Sequence, residues 1–350
     1  MKMDYQEVSI EKISKVFKRF AEVECKGVSP LYFDLSNKVA EEQELLRISS
    51  YCQRRQPIPN LFFAAVHYLL LSNPEEELAI YYPSISKNVG TYLPFELFKE
   101  FCIRNKKQIQ ELEGTKIVQT NSLNRCAYLM PILSNHFHNQ AINLIDIGTS
   151  AGLTLGLNRY EYHYDDTYLI GESLVKVKSK TKGGQMPDIQ AIVTINKKVG
   201  IDQNPLDLKV EENANWLRAL IWADRVERTE NMEAAIAIAQ SENIQFEQAF
   251  TSTQFEEIIQ SQEMEVPLVI YHTNVLYQFT KEERKEFREM IDRIGRDRDL
   301  VYIAAEGSAV FDNSDDYTGV LVEKTEYKNQ RKSSETVART NGHANWIKWY

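Results

Sequence analysis

The spacing of hydrophobic and polar residues divides the chain into two regions. Up to about residue 140, apolar residues recur at helical spacing, as Ile13, Phe17 and Phe20 do. The run from 60 to 71 begins with the capping residue Asn60 and is apolar nearly all round, which predicts a central helix of a bundle. Further helices are predicted at about 94–105 and 121–136. The first region, 1–140, is therefore predicted to be an α-helical N-terminal region.

From residue 142 onward, short apolar runs of strand length alternate with helical patterns. Strands are predicted at 142–147, 198–202, 244–250, 266–272 and 300–305, and helices at 215–222, 230–240, 254–260 and 281–293. This alternation predicts an α/β domain over 141–350 whose sheet is mostly parallel. Two further runs, about 319–327 and 334–340, predict an antiparallel edge.

Residues 164–193 form the least determined part of this second region. They contain Lys176, Lys178, Lys180 and Lys182 followed by Gly183 and Gly184, and they resemble an inserted hairpin more than a helix. A run of like charges is most often a solvated face, so the lysines are assigned to solvent.

Composition narrows the class of protein. The chain has 350 residues, of which 43% are hydrophobic, so it can fill a real core. Its net charge of −9 gives no electrostatic footprint for duplex nucleic acid or an anionic membrane, although a local basic patch is compatible with it. We therefore expect a small-molecule substrate, with neither nucleic acid nor a membrane as partner. The oligomeric state is left open.

Cysteine usage and the N-terminus point to the cytoplasm. The four cysteines lie far apart with no CxxC pair, which favours reduced core thiols over a disulfide framework, and no metal site is predicted. The N-terminus has no apolar core or cleavage site of a secretory signal, and the most hydrophobic run, 61–71, is too short to span a bilayer.

The most informative stretch, 142–156, reads as an apolar strand, a glycine turn and the opening of a helix. Asp146 closes the strand, and Gly148 and Gly152 bracket a loop that contains Thr149 and Ser150. Such a turn presents backbone N–H groups to a ligand, and glycine permits a tight turn or a close approach. We expect any small-molecule site to lie here.

The loop resembles a known motif. Asp146-x-Gly148-x-Ser150-x-Gly152 is similar to motif I of class I S-adenosylmethionine-dependent methyltransferases, Asp/Glu-x-Gly-x-Gly-x-Gly, with serine in place of the middle glycine. A dinucleotide-binding Gly-x-Gly-x-x-Gly is not matched, because Ser150 and Leu153 occupy its second and third glycine positions. The alternative without function is that the glycines only let the strand turn into a helix.

The resemblance implies an acid at the end of the second strand, to hold a ribose diol. Asp202 fits in character but follows Asp146 at far more than the roughly 20 residues expected of such a unit. Glu172 has more normal spacing but a poorer strand before it. We favour Asp202 and attribute the excess to the lysine-rich insertion.

The fourth predicted strand also ends in polar residues. At the carboxyl ends of the strands of an open sheet, Tyr271, His272, Thr273 and Asn274 would face a ligand. His272 is a candidate general base, with the equally weighted alternative of a histidine that satisfies backbone groups. The segment is not the Asn/Asp-Pro-Pro-Tyr motif of many amino-directed methyltransferases.

Short sequence segments along the whole chain resemble those of a bacterial family of unknown function. They include Gln119-Thr-Asn121 with Arg125-Cys126, the glycine loop with Asn158-Arg-Tyr160, Gly200 to Leu208, Trp216 to Trp222 and Gly342 to Trp349. Gln119, Thr120, Asn121 and Arg125 form a polar cluster that either caps a helix or folds over the glycine loop, where Arg125 suits a ligand carboxylate. Trp216, Trp222 and Trp346 are assigned to the core, and His67 is interpreted as a core histidine with satisfied nitrogens.

Three functions remain in order of preference. The first is an S-adenosylmethionine-binding protein of Rossmann-like methyltransferase fold that methylates a small molecule, with Asp146, Gly148, Thr149, Ser150, Gly152, Asp202, Asn121 and Arg125 on the cofactor. The second is a binding protein of this fold without catalysis. The third is a serine hydrolase, since Gly-Thr-Ser-Ala-Gly matches a nucleophile elbow at Ser150. It would need Asp299 or Asp312, and His343.

Overall fold

The structure is a computed structural model that describes residues 9–350 except for 88–89, 91–93, 120, 139 and 312–318. It divides into two units. The helical unit contains the described residues of Met1–Thr120 together with Lys209–Glu233, and the sheet unit contains Asn121–Leu208 and Ala234–Tyr350. The sequence suggests a single boundary at residue 140, whereas 209–233 pack with the N-terminal helices and 121–138 with the sheet.

The described helices include one at each predicted position, with bounds that differ by several residues in places, and three that were not predicted. They are α1 Ile10–Phe20, α2 Pro30–Val39, α3 Gln43–Ile48, α4 Ile58–Ser72, α5 Phe95–Arg104, α6 Lys106–Thr115, α7 Cys126–Phe137, α8 Glu211–Ala219, α9 Val226–Ser241, α10 Ser252–Gln260 and α11 Lys281–Asp297. The three that were not predicted are α2, α3 and α6. Side chains cap several of them: Ser9 begins α1, and capping boxes at Thr251 and Thr280 begin α10 and α11.

The helical unit is organised around α4, as predicted. This helix is buried on nearly every side, and Phe17 of α1 makes edge-to-face contacts with both Phe62 and Phe63. His67 is buried with Nδ1 3.1 Å from the Ala219 carbonyl oxygen and Nε2 2.8 Å from Ser84 Oγ, and burial lowers its pKa to about 4. The interpretation of His67 as a satisfied core histidine is confirmed.

The tryptophans differ in their burial. Trp216 is buried and donates its indole N–H to the Ile117 carbonyl, and Trp222 packs against Phe20 and Tyr32. Trp346 is half-buried in a strand. All four cysteines are buried free thiols, as expected of core residues. Among the described residues, no helix is both long enough and apolar enough to cross a bilayer.

The sheet unit contains one sheet of eleven described strands. They are β1 Ala141–Ile147, β2 Glu161–Tyr164, β3 Thr167–Ile170, β4 Lys176–Thr181, β5 Thr194–Asp202, β6 Ile244–Gln248, β7 Leu268–Thr273, β8 Leu300–Gly307, β9 Val320–Lys328, β10 Arg331–Thr340 and β11 Trp346–Trp349. Their order is β3-β2-β4-β11-β10-β9-β8-β7-β1-β5-β6.

The five strands predicted to be parallel are parallel and adjacent. β6, β5, β1, β7 and β8 pair in that order, and the direction of winding reverses between β1 and β7. One face of these strands packs Ile145, Ile270 and Ile201 against Phe255 of α10 and Phe287 of α11. Parallel strands that are covered on both faces have continuous apolar sequences rather than alternating apolar and polar residues.

The predicted antiparallel edge is wrong in its position. β9 pairs antiparallel with β8, and β10 with β9, but the pair lies inside the sheet because β11 adds to β10 and β4 adds to β11. β11 has only four residues, Trp346-Ile-Lys-Trp349, too short a run for periodicity to reveal.

The lysine-rich insertion is a small three-stranded addition. β2 and β3 form a hairpin through Asp165 and Asp166, both with positive φ, and β4 pairs parallel with β2. These strands lie at the far end of the sheet from β5, so they lengthen the chain between β1 and β5 without separating the two strands.

Candidate functional site

The glycine loop after β1 is hydrogen-bonded to the neighbouring strand β5. The backbone N–H groups of Gly148 and Thr149 both donate to the Ile201 carbonyl, at 2.7 and 3.2 Å. Gly148 has φ 75°, and a Cβ there would lie 2.3 Å from Val275 Cγ2. The loop therefore requires glycine at 148 both for backbone conformation and for close packing.

Ser150 occupies the position of the middle motif glycine. Its φ is 50°, in the left-handed region where glycine is normally favoured. Its N–H donates to Asp202 Oδ2 at 2.8 Å, and its Oγ accepts from Asn121 Nδ2 at 3.1 Å. The backbone thus has the conformation that a glycine would supply, although the residue is serine.

A helix follows the loop, as predicted, but it is not an α-helix. It is a 3-10 helix, Leu153–Arg159, rather than the opening of an α-helix. The phenol groups of Tyr160 and Tyr162 donate to the Leu153 and Leu157 carbonyls, each at 2.6 Å, and so satisfy carbonyls of this segment. A ligand here would meet individual loop N–H groups rather than the dipole of a long helix.

Asp146 is buried beneath the loop. Its Oδ2 accepts from Thr154 Oγ1 at 2.6 Å and Thr149 Oγ1 at 3.0 Å, and Tyr271 donates its hydroxyl to Thr154. Burial raises the pKa of Asp146 to about 7, against the lowering effect of these hydroxyl donors. A titration near neutrality at this point is typical of a functional carboxyl group.

Asp202 lies at the carboxyl end of β5, directly beside β1, where the sequence argument needs an acid. Its Oδ2 accepts from Ser150 N–H and its Oδ1 from Asn204 N–H, each at 2.8 Å. Glu172 is exposed and follows β3, which is the opposite edge of the sheet. The structure therefore brings Asp202, and not Glu172, to the glycine loop.

The polar cluster before α7 divides into separate parts. Asn121 spans the glycine loop, since its Oδ1 also accepts from the Ala151 N–H at 3.4 Å. Gln119 belongs to the helical unit, and Thr120 lies outside the described residues. Asn121 thus folds over the loop, one of the two arrangements that the sequence leaves open.

Arg125 is buried at the ends of the central strands and is held by neutral oxygens. Its Nη1 lies 3.2 Å from the Thr273 carbonyl oxygen and 3.1 Å from Thr273 Oγ1, and its Nε donates to the Gly342 carbonyl. Only 8% of the residue is exposed, and within the described part of the chain it forms no ion pair. A buried guanidinium without a carboxylate is suited to an anionic ligand group.

His272 points into the core on the other face of β7. It is fully buried, with Nδ1 2.7 Å from Glu306 Oε1 and Nε2 2.5 Å from the Tyr302 hydroxyl. Burial would raise the pKa of Glu306, but its bonds to His272 and to the Val275 and Leu276 N–H groups outweigh burial and hold the pKa low. A role for His272 as a general base would require one of its bonds to break.

Sequence reasoning missed the contribution of Glu306 and of the turn at 341–345. Glu306 fixes the loop after β7, whose Val275 packs on Gly148. The turn supplies the Gly342 carbonyl to Arg125 and to Asn274, and the His343 carbonyl to Ser122. The sequence segment Gly342–Trp349 resembles the family and could have drawn attention to this turn, but its residue types do not indicate a chemical role.

The described surroundings of Ser150 supply an amide, and not an imidazole, to its hydroxyl group. Among the described residues no imidazole bonds to Ser150 Oγ, whose partner is Asn121. Asp299 accepts from the Asn329 N–H at 2.8 Å, and Asp312 lies outside the described residues.

Comparison with known proteins identifies the family and not the activity. A comparison with curated proteins finds no match. The model of a bacterial family described as "Uncharacterized protein conserved in bacteria (DUF2332)" matches residues 14–349, so the chain belongs to this family.

Proposed function

We propose that the protein binds S-adenosylmethionine at the glycine loop and acts as a methyltransferase on a small molecule. The observation that carries this proposal is the position of the loop. It leaves β1 at the point where the strand order reverses, and open α/β sheets bind ligands at that crevice. The spatial order of the five parallel strands, numbered along the chain, is 3-2-1-4-5, that of a doubly wound Rossmann-like sheet.

The side chains around the loop fit such a ligand. Each Asp202 oxygen accepts one backbone N–H, which leaves acceptor capacity for the hydroxyls of a ribose diol. Arg125 carries an uncompensated positive charge that suits the ligand's carboxylate. Asp146 and Asn121 would orient the loop between these two groups.

Ser150 supports the resemblance more than it weakens it. The left-handed conformation at this position is the property that the motif's middle glycine supplies, and Ser150 retains it. S-adenosylmethionine supplies an activated methyl group when bound. The protein would align the methyl acceptor with this methyl group. Methyl transfer to a good nucleophile needs no general base.

The buried position of His272 favours a second candidate, a ligand-binding protein of the same fold without catalysis. His272 is the base that the sequence suggests, and both of its ring nitrogens are engaged within the core. Detection of a methylated product from a labelled donor, in extracts of small metabolites supplied to the purified protein, would distinguish an enzyme from this binder.

The proposal is tested by calorimetric titration with S-adenosylmethionine and S-adenosylhomocysteine. We expect saturable micromolar binding to the wild type. Asp202→Asn retains one oxygen for the loop but removes the charge, and should weaken binding roughly 10- to 100-fold.

Glu172→Ala is the matched control. Glu172 is the rival acid but lies at the opposite edge of the sheet, so its removal should leave the dissociation constant unchanged. Absence of binding to the folded wild type, or equal losses in the two variants, would reject the proposed site.

Ser150→Gly separates the methyltransferase-like loop from the serine hydrolase. Glycine adopts φ 50° without strain, so ligand binding should stay within about threefold of the wild type. A hydrolase would lose its nucleophile and all ester hydrolysis. Labelling of wild-type Ser150 by a fluorophosphonate, without S-adenosylmethionine binding, would favour the hydrolase instead.

A further inference from the structure

One face of the far end of the sheet is open and basic. Along β4 and β11, side chains alternate between a buried face, with Val177, Ser179 and Ile347, and an exposed face. The buried face packs beneath α7, where the Tyr164 hydroxyl donates to the Ala127 carbonyl. The exposed face has lysines at every second residue of β4, and the backbone N–H of Lys178 donates to Asn124 Oδ1 at 3.3 Å.

The strand register places these lysines in rows with aromatic rings. One row runs across three strands, because Tyr168 of β3 pairs with His163 of β2, which pairs with Lys178 of β4. The second row joins Lys180 of β4 to Trp346 of β11. Residues that pair laterally share a face, so the rows form one surface, which we call the lysine–aromatic face.

The groups on this face are accessible. Tyr168 exposes 56% of its surface, and Lys178, Lys180, Lys182 and Lys348 are all exposed. Lys182 Nζ lies 4.1 Å from the centre of the Trp346 ring, a cation–π contact at one end of the face. Lysines two residues apart on a strand are separated by roughly 7 Å, which gives a line of positive charge.

Two acidic side chains near the face, Glu161 and Asp165, have hydrogen-bond partners, and two others, Asp166 and Glu172, are exposed. Glu161, on the same face of β2, accepts from Lys176 at 2.5 Å and His163 at 2.6 Å. Asp165, in the β2–β3 turn, accepts from the Thr181 N–H at 2.8 Å. The net charge of −9 is an average over the whole chain and does not describe this surface.

We propose that the lysine–aromatic face binds a single-stranded nucleic acid. A line of cations can follow a phosphate backbone, and exposed rings between the cations can stack on unpaired bases. Stacking on exposed rings requires unpaired bases, so single strands are favoured over double strands. This proposal is independent of the ligand at the glycine loop and departs from the expectation that the net charge suggests.

Fluorescence anisotropy with labelled oligodeoxythymidylate and oligouridylate tests the proposal. Wild-type protein should bind at about 50 mM salt and lose affinity steeply by about 200 mM. The double variant Lys178→Glu/Lys180→Glu should bind at least about tenfold more weakly, and Tyr168→Ala roughly 5- to 100-fold more weakly. A duplex of equal length should bind more weakly than either single strand.

The control carries the same charge change elsewhere. Lys106→Glu/Lys107→Glu alters two exposed lysines of α6 and should leave affinity unchanged within about twofold, at equal melting temperature. Three results would each overturn the proposal: no binding at low salt, equal losses in the two double variants, or preferential binding to phosphatidylserine vesicles.

Discussion

Replacement of Glu113 by methionine is expected to stabilise the protein by about 1–3 kcal/mol near neutral pH. Glu113, on α6, is fully buried, and neither side-chain oxygen has a hydrogen-bond partner among the described residues. Burial raises the pKa of its carboxyl group well above the ordinary value. Methionine fills a similar volume without a polar group, and thermal and urea unfolding would measure the gain.

The pH dependence of this gain has a definite sign. The folded state holds a proton on Glu113 at pH values where the unfolded chain, with a pKa near 4.5, has lost it. Wild-type stability therefore falls as pH rises above that value, and the advantage of Glu113→Met should grow over the same range.

Glu111→Met provides the comparison on the same helix. Glu111 is exposed, so its replacement should change stability by less than about 0.5 kcal/mol. A Glu113→Met protein that is less stable than the wild type at all pH values would show that the carboxyl group has a stabilising partner.

The parallel core of the sheet could be predicted because its central strands are buried on both faces. Runs such as Ile142–Ile147 and Leu300–Ala305 are apolar throughout most of their length, and their alternation with helices determines parallel pairing. β2, β3 and β11 have four residues each, and β3 is exposed at almost every position. β11 pairs with β4, which is distant in sequence, so local patterning could not reveal it. β2 and β3 are joined by a two-residue turn, and the sequence predicted only an inserted hairpin in this region.

The candidate site was predictable in part for a similar reason. Asp146, Ser150 and Asp202 are close in space because β1 and β5 pair, and the sequence contained both strands. The neutral environment of Arg125 and the engagement of His272 with Glu306 depend on contacts across the sheet unit. The left-handed conformation of Ser150 could not be predicted from the sequence either, because serine rarely adopts it.

Replacement of Asp146 by asparagine is expected to stabilise the protein above about pH 7 and to leave it nearly unchanged below about pH 4. The carboxyl group has a pKa near 3.8 when unfolded and about 7 when folded, because burial penalises its charge. Over this window the folded state binds the extra proton, so wild-type stability falls as pH rises. A difference of this size in pKa corresponds to roughly 4 kcal/mol, the upper limit of the gain. Thermal unfolding across this pH range would measure it.

The same substitution distinguishes a functional carboxylate from a structural one. The introduced asparagine keeps a side-chain carbonyl oxygen that can accept from Thr149 and Thr154, so the loop geometry should persist while the charge is lost. Asp188→Asn, on the surface, serves as the control and should show no comparable pH-dependent gain.

A stabilised Asp146→Asn protein that binds S-adenosylmethionine more weakly would show that a destabilising charge is kept for the ligand. If the variant is stabilised and binds unchanged, the charge of Asp146 has no part in recognition and the site depends on Asp202 and Arg125. If it is destabilised at about pH 8, the carboxylate is compensated in the folded protein and the explanation by burial fails.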